Sequence, residues 1–111
     1  MKVQVLSDLH LEFGNFINPL EDRDLLIIAG DLHVGSKGLE FIKQELKKSP
    51  IIYVLGNHEF YHYQFQEITK FWTSCDLEGL YVLENSQVEL EGWKFLGATL
   101  WTNLSNLNKK V

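Results

Sequence analysis

Side chains of the types that bind hard or borderline metal ions follow three short apolar runs of this sequence. In chain order, these side chains are Asp8 and His10, then Asp31, then Asn57 and His58. This mixture of carboxylate, imidazole and amide groups suits Mn, Fe, Zn or Mg rather than a metal that prefers thiolates. A central carboxylate such as that of Asp31 could bridge two ions, and ions about 3.5–4 Å apart are a known means of phosphoryl transfer.

The three runs that precede these side chains cover residues 3–6, 25–29 and 51–55. Short β-branched runs that end at turn residues predict the strands of a parallel sheet, buried on both faces. Ligand sites of parallel sheets form beyond the carboxyl ends of the strands. Because neighbouring strands lie only about 4.8 Å apart, we expect the side chains at these ends to meet in one cluster.

Each of these motifs has an ordinary explanation when it is considered alone. Gly30 and Asp31 both suit a turn, and so do Gly56 and Asn57. Short patterns such as Asp-x-His also arise by accident. Turn chemistry explains one such strand end well but explains three successive ends poorly, so the combination favours a metal centre.

Two helices are predicted between these runs and after them. The first covers about residues 36–48, where Ser36 could cap the start and Pro50 stops the continuation. The second covers about residues 63–73, where apolar residues repeat at helical spacing. Strand, helix, strand and helix in succession imply a parallel sheet with right-handed crossovers.

The last third of the chain has the pattern of antiparallel strands. Residues 80–83 predict a short strand, and apolar residues then alternate with polar ones up to Leu90. Glu91 and Gly92 predict the tip of a β-hairpin whose second strand covers residues 93–100. Trp93, together with Phe95 and Trp101, is expected to pack in the core or the hairpin.

Composition and charge restrict the compartment and the partners. Hydrophobic residues make up 45% of the sequence, which is enough to bury a core. The net charge of −5 disfavours sequence-independent binding of nucleic acid, which depends on basic residues. With Cys75 as the single cysteine and no apolar stretch long enough for a bilayer, the sequence predicts a cytoplasmic protein that does not associate with membranes.

The order of the three motifs resembles that of the calcineurin-like metallophosphoesterases. The motifs are Asp-x-His at 8–10, Gly-Asp at 30–31 and Gly-Asn-His-Glu at 56–59. Residues 97–101 are similar to a strand of small bacterial members. The resemblance implies hydrolysis of phosphate monoesters or diesters with two divalent metal ions, of which Mn is favoured.

The resemblance also implies a role for each residue of the three motifs. Asp8 and His10 would bind the first metal ion, and Asp31 would bridge both ions. Asn57 would bind the second ion through its amide oxygen. His58 would be the catalytic histidine that faces the substrate, where it stabilises the phosphoryl group or protonates the leaving oxygen.

The sequence departs from the pattern of the family at three places. Glu59 stands where the family usually has Asp, and residues 32–35 lack the Asp-Arg pair of the protein Ser/Thr phosphatases. The family completes both metal sites with a later Gly-His motif and a later Gly-His-x-His motif. No histidine follows His62 in this sequence. His33 is expected to be a loop histidine exposed to solvent, and His62 is expected to be a residue of a loop or of the start of a helix.

We therefore predict an α/β chain that forms the first half of a four-layer α/β/β/α sandwich. Residues 1–111 would be the N-terminal portion of one phosphoesterase domain, without its C-terminal half, and the two-metal site would be incomplete. A homodimer could cover the missing half, or the chain could be a domain cut from a longer protein. The alternative is a non-catalytic module that binds a partner or a nucleotide. A flavodoxin-like nucleotide binder is disfavoured because no Gly-rich loop follows the first run.

Overall fold

The computed structural model describes residues 1–99, which form a parallel sheet, two helices and a hairpin. The sheet consists, in spatial order, of β1 (Val3–Leu6), β2 (Leu25–Ala29), β3 (Ile51–Val54) and β4 (Leu80–Val82). The helices are α1 (Leu39–Leu46) and α2 (Phe65–Thr73), and the hairpin consists of β5 (Ser86–Leu90) and β6 (Trp93–Gly97). The predicted α/β class and order of elements are confirmed.

Both helices cover the same face of the sheet. Ile42 of α1 and Trp72 of α2 are fully buried in the main core cluster, together with Ile28 of β2 and Tyr53 of β3. The indole Nε1 of Trp72 donates a hydrogen bond of 3.0 Å to the carbonyl of Gly35. This large side chain is therefore satisfied as well as buried. The helix side of the sheet is a closed hydrophobic core.

The hairpin covers part of the opposite face of the sheet. Val88 of β5 and Phe95 of β6 pack against a second core cluster that contains Leu25 and Ile52. At the tip of the hairpin, the φ angles of Glu91 and Gly92 are 49° and 81°. Positive φ at both central residues is what a two-residue type I′ turn requires. Helices, sheet and hairpin form three layers, as expected for the first half of an α/β/β/α sandwich.

Strand β1 corrects the prediction that all three apolar runs are buried on both faces. Val3 and Val5 are 43% and 61% exposed. They are in register with Leu25 and Ile27 of β2, which belong to the hairpin-side core. Val3 and Val5 therefore lie on the hairpin face of the sheet but are not covered by the hairpin.

Three other predictions differ from the structure. Helix α1 begins at Leu39 after Gly38, with no capping bond from a side chain, so Ser36 is not its cap. Trp93 is 64% exposed rather than packed, whereas Phe95 is partly buried as predicted. The predicted end of the second hairpin strand at Leu100, and Trp101, lie outside the described residues.

Neither helix of the described part is able to cross a membrane. Helices α1 and α2 contain 8 and 9 residues, whereas a membrane-spanning helix needs about 20. No span of sufficient length and hydrophobicity is found within residues 1–99.

Candidate metal centre

The carboxyl ends of β1 and β2 bring three of the predicted ligands together. One potential ligand atom from each of Asp8, His10 and Asp31 lies within 4.8 Å of the others. Nε2 of His10 lies 3.8 Å from Oδ1 of Asp8 and 3.9 Å from Oδ2 of Asp31. Backbone hydrogen bonds from Asp8 N to Gly30 O and from His10 N to Asp31 O continue the pairing of β1 with β2 beyond the strands. The two strand ends therefore hold the cluster together.

The backbone of these three residues is in a strained conformation. Asp8, His10 and Asp31 have φ angles of 54°, 46° and 53°. The left-handed region costs a residue other than glycine about 1–2 kcal/mol. Such conformations persist when the surrounding structure enforces them, and they are concentrated at functional sites. The strain in this part of the structure thus coincides with the candidate ligands.

Two glycines allow the ends of β2 and β3 to approach each other. A Cβ atom on Gly56 would overlap Oδ1 of Asp31 and would lie 2.5 Å from the backbone nitrogen of that residue. A Cβ atom on Gly30, which has a φ of 83°, would lie 3.1 Å from Cα of Gly56. Any larger residue at position 56 would displace the carboxylate of Asp31, so glycine is required there.

Glu59 is fully buried, and its carboxylate links the ends of β2 and β3 through hydrogen bonds. Its Oε1 accepts hydrogen bonds from the backbone of Asp31 and Gly56, at 3.0 and 2.9 Å. Its Oε2 accepts from Leu32 N at 3.1 Å and from the hydroxyl of Tyr53 at 2.5 Å. Burial, and then the charge of Glu59, raise the pKa of Tyr53 well above its ordinary value. Glu59 is a structural tether, which its place in the motif did not reveal.

The predicted catalytic histidine, His58, lies beside this cluster. Its backbone N–H donates to Oδ1 of Asp31 at 2.9 Å. Its ring centre is 4.4 Å from that of His10, and the ring of Tyr61 stacks against it with the centres 4.6 Å apart. The Nδ1 atom of His58 lies 3.1 Å from Oε2 of Glu12.

Glu12 is a member of the site that the sequence motifs did not indicate. It lies in the 3-10 turn Leu11–Phe13 directly after the first motif. Burial alone would raise the pKa of its carboxyl group, but its own backbone N–H, His58 and His10 outweigh burial and lower the pKa. The signal available in the sequence was the placement of Asp8, His10 and Glu12 at every second position.

The remaining candidates are less closely involved. Asn57 is exposed at the start of the 3-10 turn His58–Phe60, and its side chain makes no hydrogen bond to any of residues 1–99. His33 is partly buried rather than solvated, and its Nδ1 accepts the backbone N–H of Val34 at 2.7 Å. Burial lowers the pKa of His33. His62 is exposed and lies in the turn that precedes α2.

The separations in the cluster fit a divalent cation. Nitrogen and oxygen ligands bind transition-metal ions at about 2.0–2.2 Å, so two ligands of one ion lie about 3–4 Å apart. The distances of 3.8 and 3.9 Å from His10 to its two acidic neighbours are within this range. A second group of compatible atoms comes from His10, Glu12 and His58. The described residues therefore offer suitable donors on both sides of His10.

Comparisons with known proteins agree with this geometry. The family model described as calcineurin-like phosphoesterase matches residues 1–106. The chain is similar to uncharacterized protein L509 of Acanthamoeba polyphaga mimivirus, with 30% identity over 93% of this chain and 45% of the relative. The chain thus spans less than half the length of that relative. No solved structure matches. The match over nearly the whole sequence, with acidic and histidine side chains gathered at the strand ends, shows that the chain belongs to the calcineurin-like phosphoesterase family.

Proposed function

We propose that this chain supplies metal-binding and catalytic residues for the hydrolysis of phosphate monoesters or diesters. The observation that supports the proposal is the meeting of Asp8, His10 and Asp31 at the carboxyl ends of adjacent parallel strands. The strained backbone and the glycines around Asp31 are consistent with a site in which ligand position is more important than local stability.

In this proposal, each ligand has its own part. Asp8 and His10 would hold the first ion, Asp31 would supply its carboxylate to both ions, and the exposed Asn57 would supply its amide oxygen to the second. Mn is favoured, and Fe, Zn and Mg suit the same donors. When bound, a pair of such ions lowers the pKa of a water molecule and neutralises charge on the phosphoryl group.

The proposed role of His58 follows from its place at the edge of the cluster. Its main chain is anchored to Asp31 and its Nδ1 contacts Glu12. Because the two ring nitrogens are on opposite sides of the imidazole, Nε2 is left for a substrate. There, when the ring is doubly protonated, Nε2 could donate a hydrogen bond to a phosphoryl oxygen or a proton to the leaving oxygen.

The ligand set of residues 1–111 does not complete the family's two sites, since all four histidines lie at or before His62. We propose that the remaining ligands come from outside residues 1–111, and a second copy of this chain is one source. Val3, Val5 and Leu96 are 43%, 61% and 76% exposed. These side chains offer apolar surface for such an association.

A second candidate function is a non-catalytic module that keeps the fold in order to bind a partner or a nucleotide. It differs from the first in one measurable property, because a binding module does not need to retain metal ions or to hydrolyse an ester.

The test is the metal content of the purified chain. The wild type, Asp31→Asn and the matched control Asp76→Asn are loaded with Mn²⁺ and desalted, and the ions per chain are counted. Asp76 is exposed and distant in sequence from the motifs. We expect nearly two ions per chain in the wild type and in the control, with hydrolysis of p-nitrophenyl phosphate or its bis ester. In Asp31→Asn, we expect a large loss of both.

The oligomeric state is measured on the same samples by light scattering. Retained ions in a dimer would support the second copy as the source of ligands. No retained ion and no hydrolysis at any protein concentration would reject the catalytic proposal for this chain and favour the binding module.

A further inference from the structure

One carboxylate oxygen of Glu12 faces the same ring nitrogen of two histidines. Its Oε2 lies 3.1 Å from Nδ1 of His58 and 3.6 Å from Nδ1 of His10. The side chain of Glu12 is only 16% exposed, and those of the histidines are 22% and 27% exposed. Water therefore has limited access to the space between the three side chains.

The chemistry of a carboxylate determines where the proton on His58 must be. The contact between Oε2 of Glu12 and Nδ1 of His58 measures 3.1 Å. An ionised carboxylate only accepts hydrogen bonds, so Nδ1 must carry hydrogen for this contact to be favourable. In a neutral ring, a proton on Nδ1 leaves Nε2 with its lone pair. Glu12 therefore selects one of the two tautomers of His58.

Glu12 selects the same tautomer of His10, and the evidence is a pair of buried atoms without partners. Among residues 1–99, Nδ1 of His10 and Oε1 of Glu12 are buried and make no hydrogen bond. Nδ1 of His10 is a potential donor, and the carboxylate of Glu12 is an acceptor. The other oxygen of this carboxylate, Oε2, lies 3.6 Å from Nδ1 of His10. A small movement of either side chain brings Nδ1 of His10 and the carboxylate of Glu12 within hydrogen-bond distance. On its other side, Nε2 of His10 faces Asp8 and Asp31, where a lone pair is required to bind a cation.

We propose that Glu12 is a positioning residue shared by His10 and His58. It holds both rings with Nδ1 protonated, so that one Nε2 is free for a metal ion and the other for the substrate. A carboxylate that accepts the second ring N–H of a metal-binding histidine fixes its tautomer and orientation and increases its basicity. The tautomer assignment is independent of the proposed function. The contribution of Glu12 to metal binding rests on the proposed function.

The competing interpretation is that Glu12 is itself a ligand. Potential ligand atoms of His10, Glu12 and His58 lie within 4.8 Å of one another. In that case, the Nδ1 atoms would bind the ion and would carry no hydrogen. The two interpretations thus place the proton on opposite nitrogens of both rings, which makes them distinguishable without an activity assay.

His33 provides an internal reference for the measurement. Its Nδ1 accepts the backbone N–H of Val34 at 2.7 Å. The neutral ring must therefore carry its proton on Nε2. One sample of the protein therefore contains both kinds of histidine, two rings predicted to carry the proton on Nδ1 and one predicted to carry it on Nε2. A difference between His33 and the pair formed by His10 and His58 cannot come from solvent or temperature.

The experiment is long-range ¹H–¹⁵N NMR spectroscopy of the histidine rings at a pH of about 8.5, where histidine is ordinarily neutral. The wild type, Glu12→Gln and Glu67→Gln are compared without metal and then during titration with diamagnetic Zn²⁺. Glu67 is an exposed residue of α2 and serves as the matched control. We expect the Nδ1–H form at His10 and His58 in the wild type, a shift toward Nε2–H in Glu12→Gln, and no change at His33.

For the titration, we expect the Zn²⁺ affinity of Glu12→Gln to fall about 10–100-fold, as is typical when the partner of a metal-binding histidine is replaced. The affinity of Glu67→Gln should equal that of the wild type. Zn²⁺ should perturb Nε2 of His10 and leave Nδ1 protonated.

Three results would overturn the inference. They are an Nε2–H form of His58 in the wild type, tautomers that Glu12→Gln leaves unchanged, and coordination of Zn²⁺ through Nδ1. The wild-type spectrum alone provides the first and the third, so the test survives a variant that does not fold. The expected tautomers without any binding of Zn²⁺ would support the assignment for Glu12 and count against the proposed function.

Discussion

The two ends of the parallel sheet differ in how completely their polar side chains are hydrogen-bonded. At the amino ends of β2 and β3, the guanidinium group of Arg23 and the carboxylate of Glu45 are paired at 2.8 Å. At the carboxyl ends, Glu12 and His10 each retain a buried atom without a partner among the described residues. Each end contains a buried acid with hydrogen-bond partners, Glu45 at one and Glu59 at the other, but only the carboxyl end also contains the partnerless atoms of Glu12 and His10.

The satisfied end is a network in which each charged group has several partners. Arg23 also donates to Ser49 Oγ and to the carbonyl of Glu45, both at 2.8 Å. Asn18 donates to Oε1 of Glu45 at 2.7 Å, and Lys48 lies 3.2 Å from its Oε2. The side chains of Arg23 and Glu45 are only 1% and 6% exposed. The network needs this completeness to offset desolvation.

The other end combines missing partners with an unfavourable backbone. Asp8, His10 and Asp31 all have left-handed φ angles, and two acidic groups, those of Asp8 and Asp31, lie close together in this cluster. This contrast indicates that the amino end contributes to stability, whereas the carboxyl end is held in place by the rest of the fold. Such a separation predicts different responses to substitution at the two ends.

The largest effect on stability is expected for Glu45→Gln. The substitution leaves the buried charge of Arg23 without its counter-ion, which costs about 3 kcal/mol of the free energy of unfolding. Urea denaturation measures the loss, and retention of metal by the folded fraction should not change. Asp22→Asn is the control, because Asp22 pairs with Lys2 where both side chains are largely exposed and such pairs contribute little. Equal losses of unfolding free energy in the two variants would mean that the buried network stabilises the protein no more than an exposed ion pair does.

The next effect is expected for Gly56→Ala at the carboxyl end. The new Cβ atom would overlap Oδ1 of Asp31. Relief of this overlap by a shift of the strand end costs about 2 kcal/mol. Metal retention should fall with it, because Asp31 moves. In Gly14→Ala, the Cβ atom meets nothing within 4 Å, so both properties should remain unchanged. Normal metal content in Gly56→Ala would show that the position of Asp31 is not critical.

A smaller effect on stability is expected for Asp31→Asn. Removing one negative charge from beside Asp8 relieves repulsion, so the free energy of unfolding should rise or stay within about 1 kcal/mol of the wild type. Thermal denaturation of the metal-free protein measures this change, with Asp76→Asn as the reference. A large destabilisation would mean that the ligand cluster contributes to the fold, contrary to the contrast between the two ends.

The smallest effect concerns the pH dependence of stability. Burial raises the pKa of Glu45, but hydrogen bonds from Arg23, Asn18 and Lys48 outweigh burial and lower the pKa below its ordinary value of 4.5. The stabilisation is therefore complete above pH 4.5 and is lost as the pH falls through the lower pKa of the folded state. The difference in unfolding free energy between the wild type and Glu45→Gln should shrink between pH 5 and pH 3.

Matched measurements on Glu67→Gln, in which an exposed carboxyl group is removed, check the origin of this pH dependence. That variant should follow the wild type over the same range. A gap between the wild type and Glu45→Gln that stays constant down to pH 3 would contradict the lowered pKa.

Local sequence signals predicted those elements that depend on local interactions. The Glu91-Gly92 turn, the strand that follows it and the start of β2 were all recognisable from neighbouring residues. Two failures have tertiary causes. Helix α1 starts after Gly38, where a Cβ atom would lie 2.6 Å from the side chain of Leu32, six residues away. Val3 and Val5 have the composition of a buried strand but lie beyond the reach of the hairpin.

In the candidate site, the motifs predicted the meeting of Asp8, His10 and Asp31 because strand order determines which ends are adjacent. Glu12 was missed because its significance depends on His58, which is 46 positions away in sequence. Glu59 stands where the family usually has Asp, and the motif alone assigns it no role. Its function as a tether depends on backbone N–H groups, which have no signature in the sequence.

The tether formed by Glu59 has a consequence for the way in which the site is lost. Its two oxygens accept the amide protons of Asp31, Leu32 and Gly56, which follow two different strands. Release of this one side chain would expose all three amides to exchange with solvent at once. The ends of β2 and β3 therefore open as a single cooperative unit, and the candidate ligands would be dispersed together by a local fluctuation well before the chain unfolds.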